Sequence, residues 1–119
     1  MRVTNELREP CKRLASTILH AFIRLPRQRE EVAIPGRQML RCGTSVAAHI
    51  REASRARSDA EFCSKLDSLL QEADEAQLWL ELLAEDCAIS DLDLTTIHRE
   101  TGEIIAIVTT IVAKTRHRH

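Results

Sequence analysis

The side chains with the clearest chemical potential are five arginines within residues 37–57. They are Arg37, Arg41, Arg51, Arg55 and Arg57. Arg55 follows Arg51 by four residues, so the two side chains are neighbours if this stretch is helical. Guanidinium groups make bidentate, charge-assisted hydrogen bonds to phosphates and carboxylates. The spacing therefore predicts a contact surface for an anion or a nucleic acid, with an ordinary solvated helix face as the alternative.

The two halves of the sequence carry opposite charge. Residues 24–57 hold eight arginines and three glutamates, whereas residues 59–103 hold thirteen acidic and two basic residues. The formal net charge of the chain is only −1, although strong duplex binders usually carry a clear positive charge. Aromatic residues make up 3% of the chain, which leaves few rings on which single-stranded bases could stack. The simplest interpretation of this asymmetry is two solvated helix faces. Contact between complementary subunits and binding of an anionic ligand are the alternatives.

Patterns for catalysis and metal binding are weak. Ser45 and His49 are one helical turn apart, but a single helical turn supplies neither an orienting group nor an oxyanion hole. None of the five histidines follows a glutamate by three residues, as the di-iron sites of helix bundles require. The four cysteines form no CxxC pair and are interpreted as buried thiols. Glu72, Asp74 and Glu75 are interpreted as a solvated or partner-facing surface. We predict no enzymatic activity, no cofactor and no metal site.

Helices must position these side chains, because apolar residues recur at helical spacing along most of the chain. The predicted helices span residues 4–25, 36–55, 59–88 and 91–115. Pro10 predicts that the well-formed part of the first helix begins near that residue. Pro35 and Gly36 predict the start of the second helix, because proline suits the first helical position.

The third helix has the most regular pattern. Ser58 and Glu61 form a capping box at its start. An unbroken heptad follows, made of Phe62, Leu66, Leu69, Ala73, Ala76, Leu80, Leu83 and Cys87. A second apolar face includes Leu70, Trp79 and Leu82. A helix that is apolar on two sides either lies deep in a core or faces two partners, and in a domain this small we interpret the second face as a subunit interface.

The second and fourth helices have similar apolar seams. In the second helix the seam includes Gly43, which predicts close approach of a neighbouring backbone. In the fourth helix, Ser90 or Asp91 is the predicted N-cap. Its seam is Leu94, Ile97, Thr101, Ile104, Val108, Ile111 and Thr115. Four helices joined by short turns predict an all-α, up-and-down four-helix bundle that forms a single domain over residues 1–119.

The sequence shows no targeting or membrane-spanning segment. The first residues lack the apolar core of a signal peptide. The longest apolar run, from Ile104 to Ala113, is about half of the roughly 20 residues that a membrane span needs. We predict a cytoplasmic protein without membrane contact.

A longer pattern of residues extends from Leu40 to Glu85. It comprises the run from Leu40 to Val46, then Ile50, Glu52-Ala53, Ser58, Glu61-Phe62, Lys65-Leu66, Glu72-Ala73, Glu75 and the run from Trp79 to Leu83. This pattern resembles the bacterial 23S rRNA intervening-sequence protein family, to which the accessory protein of diversity-generating retroelements is related. Residues 47–49 are Ala-Ala-His, where the family often has Gly-Ala-Asn.

The resemblance implies an up-and-down bundle that assembles into a ring-shaped homopentamer. It also implies nucleic acid as a partner, with a second protein docked on the ring as the alternative. In such a ring, a face of one subunit meets a different face of the next. A basic side on the first two helices would suit an acidic side on the last two. The expected function is that of a non-enzymatic oligomer that binds RNA or DNA through arginines, or of an adaptor ring.

Overall fold

The protein consists of four α-helices and one π-helical turn. The computed structural model describes the backbone of residues 2–118 and the side chains of residues 4–118. The elements are α1 (Arg2–Arg24), α2 (Glu30–Ala53), α3 (Asp59–Glu81), the π-turn (Leu82–Asp86) and α4 (Leu94–His117). Residues 2–118 contain no β-strand. The prediction of an all-α fold is confirmed.

Successive helices run antiparallel. Lys65 near the start of α3 pairs with Glu52 near the end of α2, at 3.6 Å between Nζ and Oε2. Arg116 at the end of α4 pairs with Asp67 near the start of α3. The molecule measures 49 × 20 × 19 Å, one helix long and two helices wide in each direction. This arrangement confirms the predicted up-and-down four-helix bundle.

The core consists of buried, mainly aliphatic side chains contributed by all four helices. Every residue of the predicted α3 heptad is buried, from Phe62 to Cys87. Burial of one Leu, Ile or Phe side chain contributes about 1.5–3 kcal/mol, so this seam is a main source of stability. In α4 the seam is buried except at its predicted Ile111, which is half-buried while Val112 is buried.

Gly43 provides space for a neighbouring side chain. A Cβ added at Gly43 would lie 2.5 Å from Cδ1 and 3.1 Å from Cγ2 of Ile18. Ile18 on α1 is fully buried. The prediction that a backbone approaches Gly43 is therefore wrong, because the branched side chain of Ile18 fills the space that a Cβ would need.

Pro10 does not mark the start of α1. The helix passes through Pro10 and already includes the residues before it. Leu7 and Cys11 are both buried on the same stripe, one on each side of the proline. Packing of this stripe outweighs the cost of about 3 kcal/mol that proline imposes inside a helix.

The start of α2 also differs from the prediction. The helix begins at Glu30, so Pro35 lies inside it rather than at its first position. Proline has no N–H to donate to the carbonyl of Glu31, four residues earlier. That carbonyl instead accepts a hydrogen bond from the Cys87 thiol, with 3.3 Å between Sγ and O. A tertiary contact thus satisfies the group that proline leaves free.

The connection between α3 and α4 is less regular than predicted. The predicted helix over residues 59–88 becomes α3 followed by the π-turn, and Ala88 has a left-handed backbone with φ of 56°. Ile89 and Leu92 are buried in the connection, so the chain crosses the end of the bundle before α4 begins. Asp93 is the N-cap, and its Oδ1 accepts from the N–H of Thr96 at 3.0 Å. The prediction of Ser90 or Asp91 as the cap is wrong.

Candidate functional sites

The structure separates the five predicted arginines into two groups. Arg51, Arg55 and Arg57 lie at the turn between α2 and α3, at one end of the bundle, and all three are exposed. Arg37 and Arg41 lie further back on α2 and are also exposed. Fourteen residues of helix separate Arg37 from Arg51, which is about 21 Å at 1.5 Å per residue. The five side chains therefore do not form one continuous surface.

The turn that carries three of these arginines is set by its own sequence. Ser58 caps α3, and its Oγ accepts from the N–H of Glu61 at 3.0 Å, as the capping box predicted. Arg57 lies immediately before the cap, and its Nε is 3.6 Å from Glu61 Oε2. Among the side chains of residues 4–118, Arg51 and Arg55 have no ion-pair partner. Both guanidinium groups are available to an external anion.

The last turn of α4 adds further basic side chains beside this turn. α4 remains helical to His117, so the basic tail is not frayed within the described residues. Arg116 pairs with Asp67, and Arg118 Nη2 lies 3.4 Å from Asp59 Oδ2. Lys114 is exposed nearby on the same helix. The sequence analysis did not place these residues with Arg51 and Arg55, because only the antiparallel order of four helices brings them together.

The two ends of the bundle carry opposite charge. The basic end, residues 51–61 and 114–118, holds six Lys or Arg and three acidic residues. Residues 4–9 in the first turns of α1 lie at the same end and add one arginine and two glutamates. The acidic end, residues 24–31 and 81–93, holds three arginines and seven carboxylates. Charge is therefore polarised along the length of the bundle as well as between its helix pairs.

A cleft of about 510 Å³ opens at the basic end, between the start of α3 and the end of α4. Its lining includes Ser58, Asp59, Cys63, Thr115 and Arg116. The capped helix terminus and the Arg116 guanidinium give it polar walls, and buried Cys63 gives it an apolar floor. The cleft is a recess next to the arginine turn in which part of a ligand can sit.

A second polar cluster lies halfway along the bundle, between α2 and α3. It joins Cys42 and Arg41 of α2 to Glu72, Glu75 and Trp79 of α3. The ligand-type atoms of Cys42, Glu72 and Glu75 lie within 4.8 Å of one another. The sequence analysis interpreted Glu72 and Glu75 as a solvated or partner-facing surface and did not connect them with Cys42. Their i, i+3 spacing was a signal, but nothing in the sequence showed that they face a cysteine.

Hydrogen bonds hold this cluster together. Arg41 Nη1 donates to Glu72 Oε2 at 3.0 Å, and Arg41 Nη2 donates to Cys42 Sγ at 3.4 Å. The indole Nε1 of Trp79 is completely buried and has no hydrogen-bond partner of normal geometry among residues 4–118. Glu72 is the more enclosed of the two carboxylates, with a side chain that is 14% exposed. Glu75 is exposed, so the cluster opens to solvent on one side.

The electrostatics of the cluster show how closely its groups interact. Burial raises the pKa of the Cys42 thiol to about 11, whereas Arg41 and the indole N–H of Trp79 act in the opposite direction. The pKa of Glu75 is raised, first by a hydrogen bond to the Glu72 carboxyl and then by burial and by the charge of Glu72. Three groups that can each become negative thus share a small space with one guanidinium.

The three predicted interface residues are all half-buried, Leu70 and Trp79 on α3 and Leu82 at the start of the π-turn. Leu70 and Trp79 pack against the core of their own chain. Leu82 lies four residues after Leu78, which is 47% exposed. Leu78 is therefore the exposed large apolar side chain of α3, and half-buried Trp79 and Leu82 follow it in the chain.

The pair Ser45 and His49 is not organised for nucleophilic catalysis. His49 Nδ1 contacts Glu52 Oε1 at 2.5 Å instead of the Ser45 hydroxyl. This hydrogen bond lowers the pKa of Glu52. The contact belongs to an exposed ion-pair group that also includes Lys65.

Comparisons with known proteins agree with this architecture. Residues 5–110 match the sequence model of a family described as 23S rRNA-intervening sequence protein. The chain is also similar to a crystal structure from Bacteroides thetaiotaomicron, described as a protein with unknown function from the S23 ribosomal protein family. That similarity has a TM-score of 0.81 and 32% sequence identity, and it covers 89% of this chain and 97% of the other. No curated protein matches the sequence. Neither family description names a reaction.

Proposed function

This chain belongs to the 23S rRNA-intervening sequence protein family, and we propose that it is a non-enzymatic oligomer that binds RNA or DNA through the basic end of the bundle. The observation that carries the proposal is the position of Arg51 and Arg55. Both are exposed and free of ion pairs within the described side chains, and both lie at the same end of the bundle as the basic last turn of α4. The resemblance found in the sequence supports the same class of partner.

The charge distribution supports a local contact with the phosphate backbone. A net charge of −1 provides little long-range attraction, so binding depends on the few arginines that face the ligand. Each phosphate neutralised by Lys or Arg releases counterions and makes binding salt-dependent. The acidic end would repel the same ligand and so orient the bundle with its basic end towards it.

Fluorescence anisotropy with labelled RNA and DNA over a salt series tests this proposal. The triple variant Arg51→Ala, Arg55→Ala, Arg57→Ala is expected to reduce the slope of log K against log salt by about 2–3, roughly one for each lost phosphate contact. The matched control is Arg13→Ala, Arg24→Ala, Arg99→Ala, which removes the same charge from exposed positions elsewhere. Absence of binding at low salt, or equal losses in the two triple variants, would contradict the proposal.

Exposed aliphatic residues on two different helices support an oligomer, which we propose to be a homopentameric ring. Leu19 and Ile23 of α1 are 42% and 56% exposed and lie one helical turn apart. Exposed Leu78 on α3 and half-buried Leu82 at the start of the π-turn form a second pair, also four residues apart. A ring needs two different faces that meet, and we propose these two pairs as those faces. Half-buried Trp79 follows Leu78 in the chain, and we propose it as part of the same face.

Analytical ultracentrifugation tests the ring. Leu78→Asp places a charge in one proposed face and is expected to shift the protein towards monomer, because a buried unpaired charge is costly. The control is Ile107→Asp, at a residue of α4 with a similar exposure of 48%. An unchanged assembly in Leu78→Asp, or a monomeric wild-type chain, would exclude this face.

An adaptor function is the second candidate, and Ile107 is the observation that favours it. This residue remains exposed on α4, apart from the two proposed ring faces. A protein partner that copurifies after nuclease treatment and is lost in Ile107→Asp would support an adaptor.

We place either function in the cytoplasm, since the cysteines at positions 11, 42, 63 and 87 are all free thiols. Within residues 2–118, no helix is long and apolar enough to cross a membrane.

A further inference from the structure

The polar cluster between α2 and α3 contains a set of side chains that suits a transition-metal ion. Cys42 comes from one helix, and Glu72 and Glu75 come from the other, one helical turn apart on the same face. One sulfur and two carboxylate oxygens lie within 4.8 Å of one another. Ligands of a tetrahedral zinc ion lie at about 2.0–2.3 Å from the metal. Small rotations of the two exposed or half-exposed glutamates would bring the three atoms to these distances.

Two N–H donors lie around the Cys42 sulfur, and they would stabilise the thiolate that a bound metal ion requires. Arg41 donates an N–H to Cys42 Sγ at 3.4 Å, and the indole N–H of Trp79 lies beside the same sulfur, fully buried and without another partner. A neutral thiol is a weak acceptor and gains little from two donors. A metal-bound thiolate, in contrast, is commonly held by such hydrogen bonds from groups around it. Among the described side chains the buried indole N–H has no partner of normal hydrogen-bond geometry, and a metal-bound Cys42 thiolate would supply the acceptor that it lacks.

The charges balance with a divalent ion in place. A thiolate and two carboxylates carry three negative charges, which exceed the single positive charge of Arg41. A divalent cation brings the cluster, with Arg41 included, to neutrality. Glu72 can bind the ion through one oxygen while its other oxygen keeps the 3.0 Å contact with Arg41 Nη1.

We propose that Cys42, Glu72 and Glu75 bind a Zn²⁺ ion, with Arg41 and Trp79 donating hydrogen bonds to the ligands. Zinc is the metal class that accepts one thiolate together with oxygen ligands, whereas Mg²⁺ and Ca²⁺ bind oxygen alone. Three protein ligands leave a fourth position for water or for an exchangeable group. Because Glu75 is exposed, that position faces solvent. The ion would also join α2 to α3 at mid-length.

Cobalt substitution tests the donor set directly. Addition of Co²⁺ to the reduced protein is expected to produce a sulfur-to-cobalt charge-transfer band in the near ultraviolet, which Zn²⁺ should abolish by displacing the cobalt. Trp79 is the only tryptophan in the chain, so its fluorescence provides a second readout at the site. Glu75→Gln changes an exposed side chain and is expected to weaken Zn²⁺ binding at least about tenfold, as losses around metal sites commonly do.

Two cysteine variants give a matched comparison. Cys42→Ser is expected to abolish the charge-transfer band, whereas Cys63→Ser, which changes another buried free cysteine, is expected to retain it. Circular dichroism checks that each variant is folded. If Cys42→Ser does not fold, the Zn²⁺ affinity of Glu75→Gln still tests the proposal. Absence of the band in the wild-type protein, its persistence in Cys42→Ser, or unchanged affinity in Glu75→Gln would each overturn the proposal. Weak binding by surface histidines would give no sulfur band and would count against it.

Discussion

The two ends of α3 reverse the chain by different means. At its start, Ser58 accepts a hydrogen bond from the backbone of Glu61, and the helix begins where the local sequence predicts. At its end, α3 passes into a π-turn whose last hydrogen bond runs from the N–H of Cys87 to the carbonyl of Leu82 at 3.0 Å. Ala88 then takes a left-handed conformation that usually belongs to glycine. Local chemistry is sufficient for the first reversal, whereas the second depends on what the chain packs against.

Packing accounts for the irregular end. Leu83, Ile89 and Leu92 are all buried there, and they lie on segments of different geometry. A π-turn changes the direction in which the following residues point, relative to a continued α-helix. Cys87 also contacts the start of α2, because its carbonyl accepts from Arg29 and its thiol donates to Glu31. The comparison shows that a helix terminus follows capping rules only when no distant segment competes for its backbone groups.

The two ends also differ in what they present to a partner. The basic end exposes unpaired arginines beside a regular helix cap, and the acidic end presents five carboxylates along residues 81–93 without a Lys or Arg. The regular end is therefore the candidate binding surface. The irregular end connects three segments of the bundle and contributes to its stability.

The largest expected difference between the ends concerns core truncation. Leu66 near the start of α3 and Leu83 in the π-turn are both fully buried. Each Leu→Ala change is expected to cost about 2–5 kcal/mol, with Leu66→Ala at the upper end, because regular helix cannot collapse around the cavity as an irregular turn can. Urea unfolding followed by circular dichroism measures both. A larger loss for Leu83→Ala would show that the π-turn is the more rigid end.

The helix caps give a smaller and pH-dependent contrast. Ser58→Ala is expected to cost about 1 kcal/mol at any pH, because the cap on α3 is a neutral hydroxyl. The cap on α4 is Asp93, whose pKa is lowered, first by its side-chain hydrogen bond with Thr96. Its contribution is therefore present above the unfolded pKa near 3.8 and lost as pH falls through the lower folded value.

Thermal melts between neutral pH and pH 2 measure how the contribution of each cap to stability depends on pH. Asp93→Ser is expected to lose less stability on acidification than the wild type, while Ser58→Ala should follow the wild-type profile. Ser90→Ala serves as the control, because Ser90 is exposed and is not the cap of α4. Parallel acid profiles for wild type and Asp93→Ser would show that Asp93 contributes nothing through its charge.

The smallest expected effect is a gain in stability at the irregular end. Ala88 has a φ of 56°, which costs an L-residue roughly 1–2 kcal/mol. Ala88→Gly removes this strain but adds backbone entropy to the unfolded chain, so a net gain of about 0.5–1 kcal/mol is expected. Ala48→Gly, at an exposed position inside α2, should destabilise by a similar amount. Destabilisation by Ala88→Gly would contradict this account of the turn.

Periodicity predicted most of the fold because burial selects residues at helical spacing. The heptad of α3 was predicted in full, and every residue of it is buried. The helix starts predicted from Pro10 and Pro35 were wrong, because both prolines lie inside helices. Propensity describes an isolated segment, whereas buried neighbours and the Cys87 thiol offset the cost of each proline in the folded chain.

One candidate site consists of residues that are close in the sequence, whereas the others join residues that are far apart in it. The arginine turn could be predicted because its residues are close in the sequence. The approach of the α4 terminus to that turn could not be predicted, because the basic residues from Lys114 to Arg118 follow Asp59 by 55 or more residues. The cluster of Cys42 with Glu72 and Glu75 was missed for the same reason.

The sequence by itself determined four helices, their buried seams, the sharp start of α3 and the family resemblance. These features depend on neighbours within one or two helical turns, where spacing and capping chemistry act directly. Only the tertiary structure decided how α3 ends, which basic residues share one end of the bundle, and which carboxylates face Cys42. Those outcomes depend on the rotation and register of packed helices, and these are set by the combined fit of side chains such as Ile18 against Gly43.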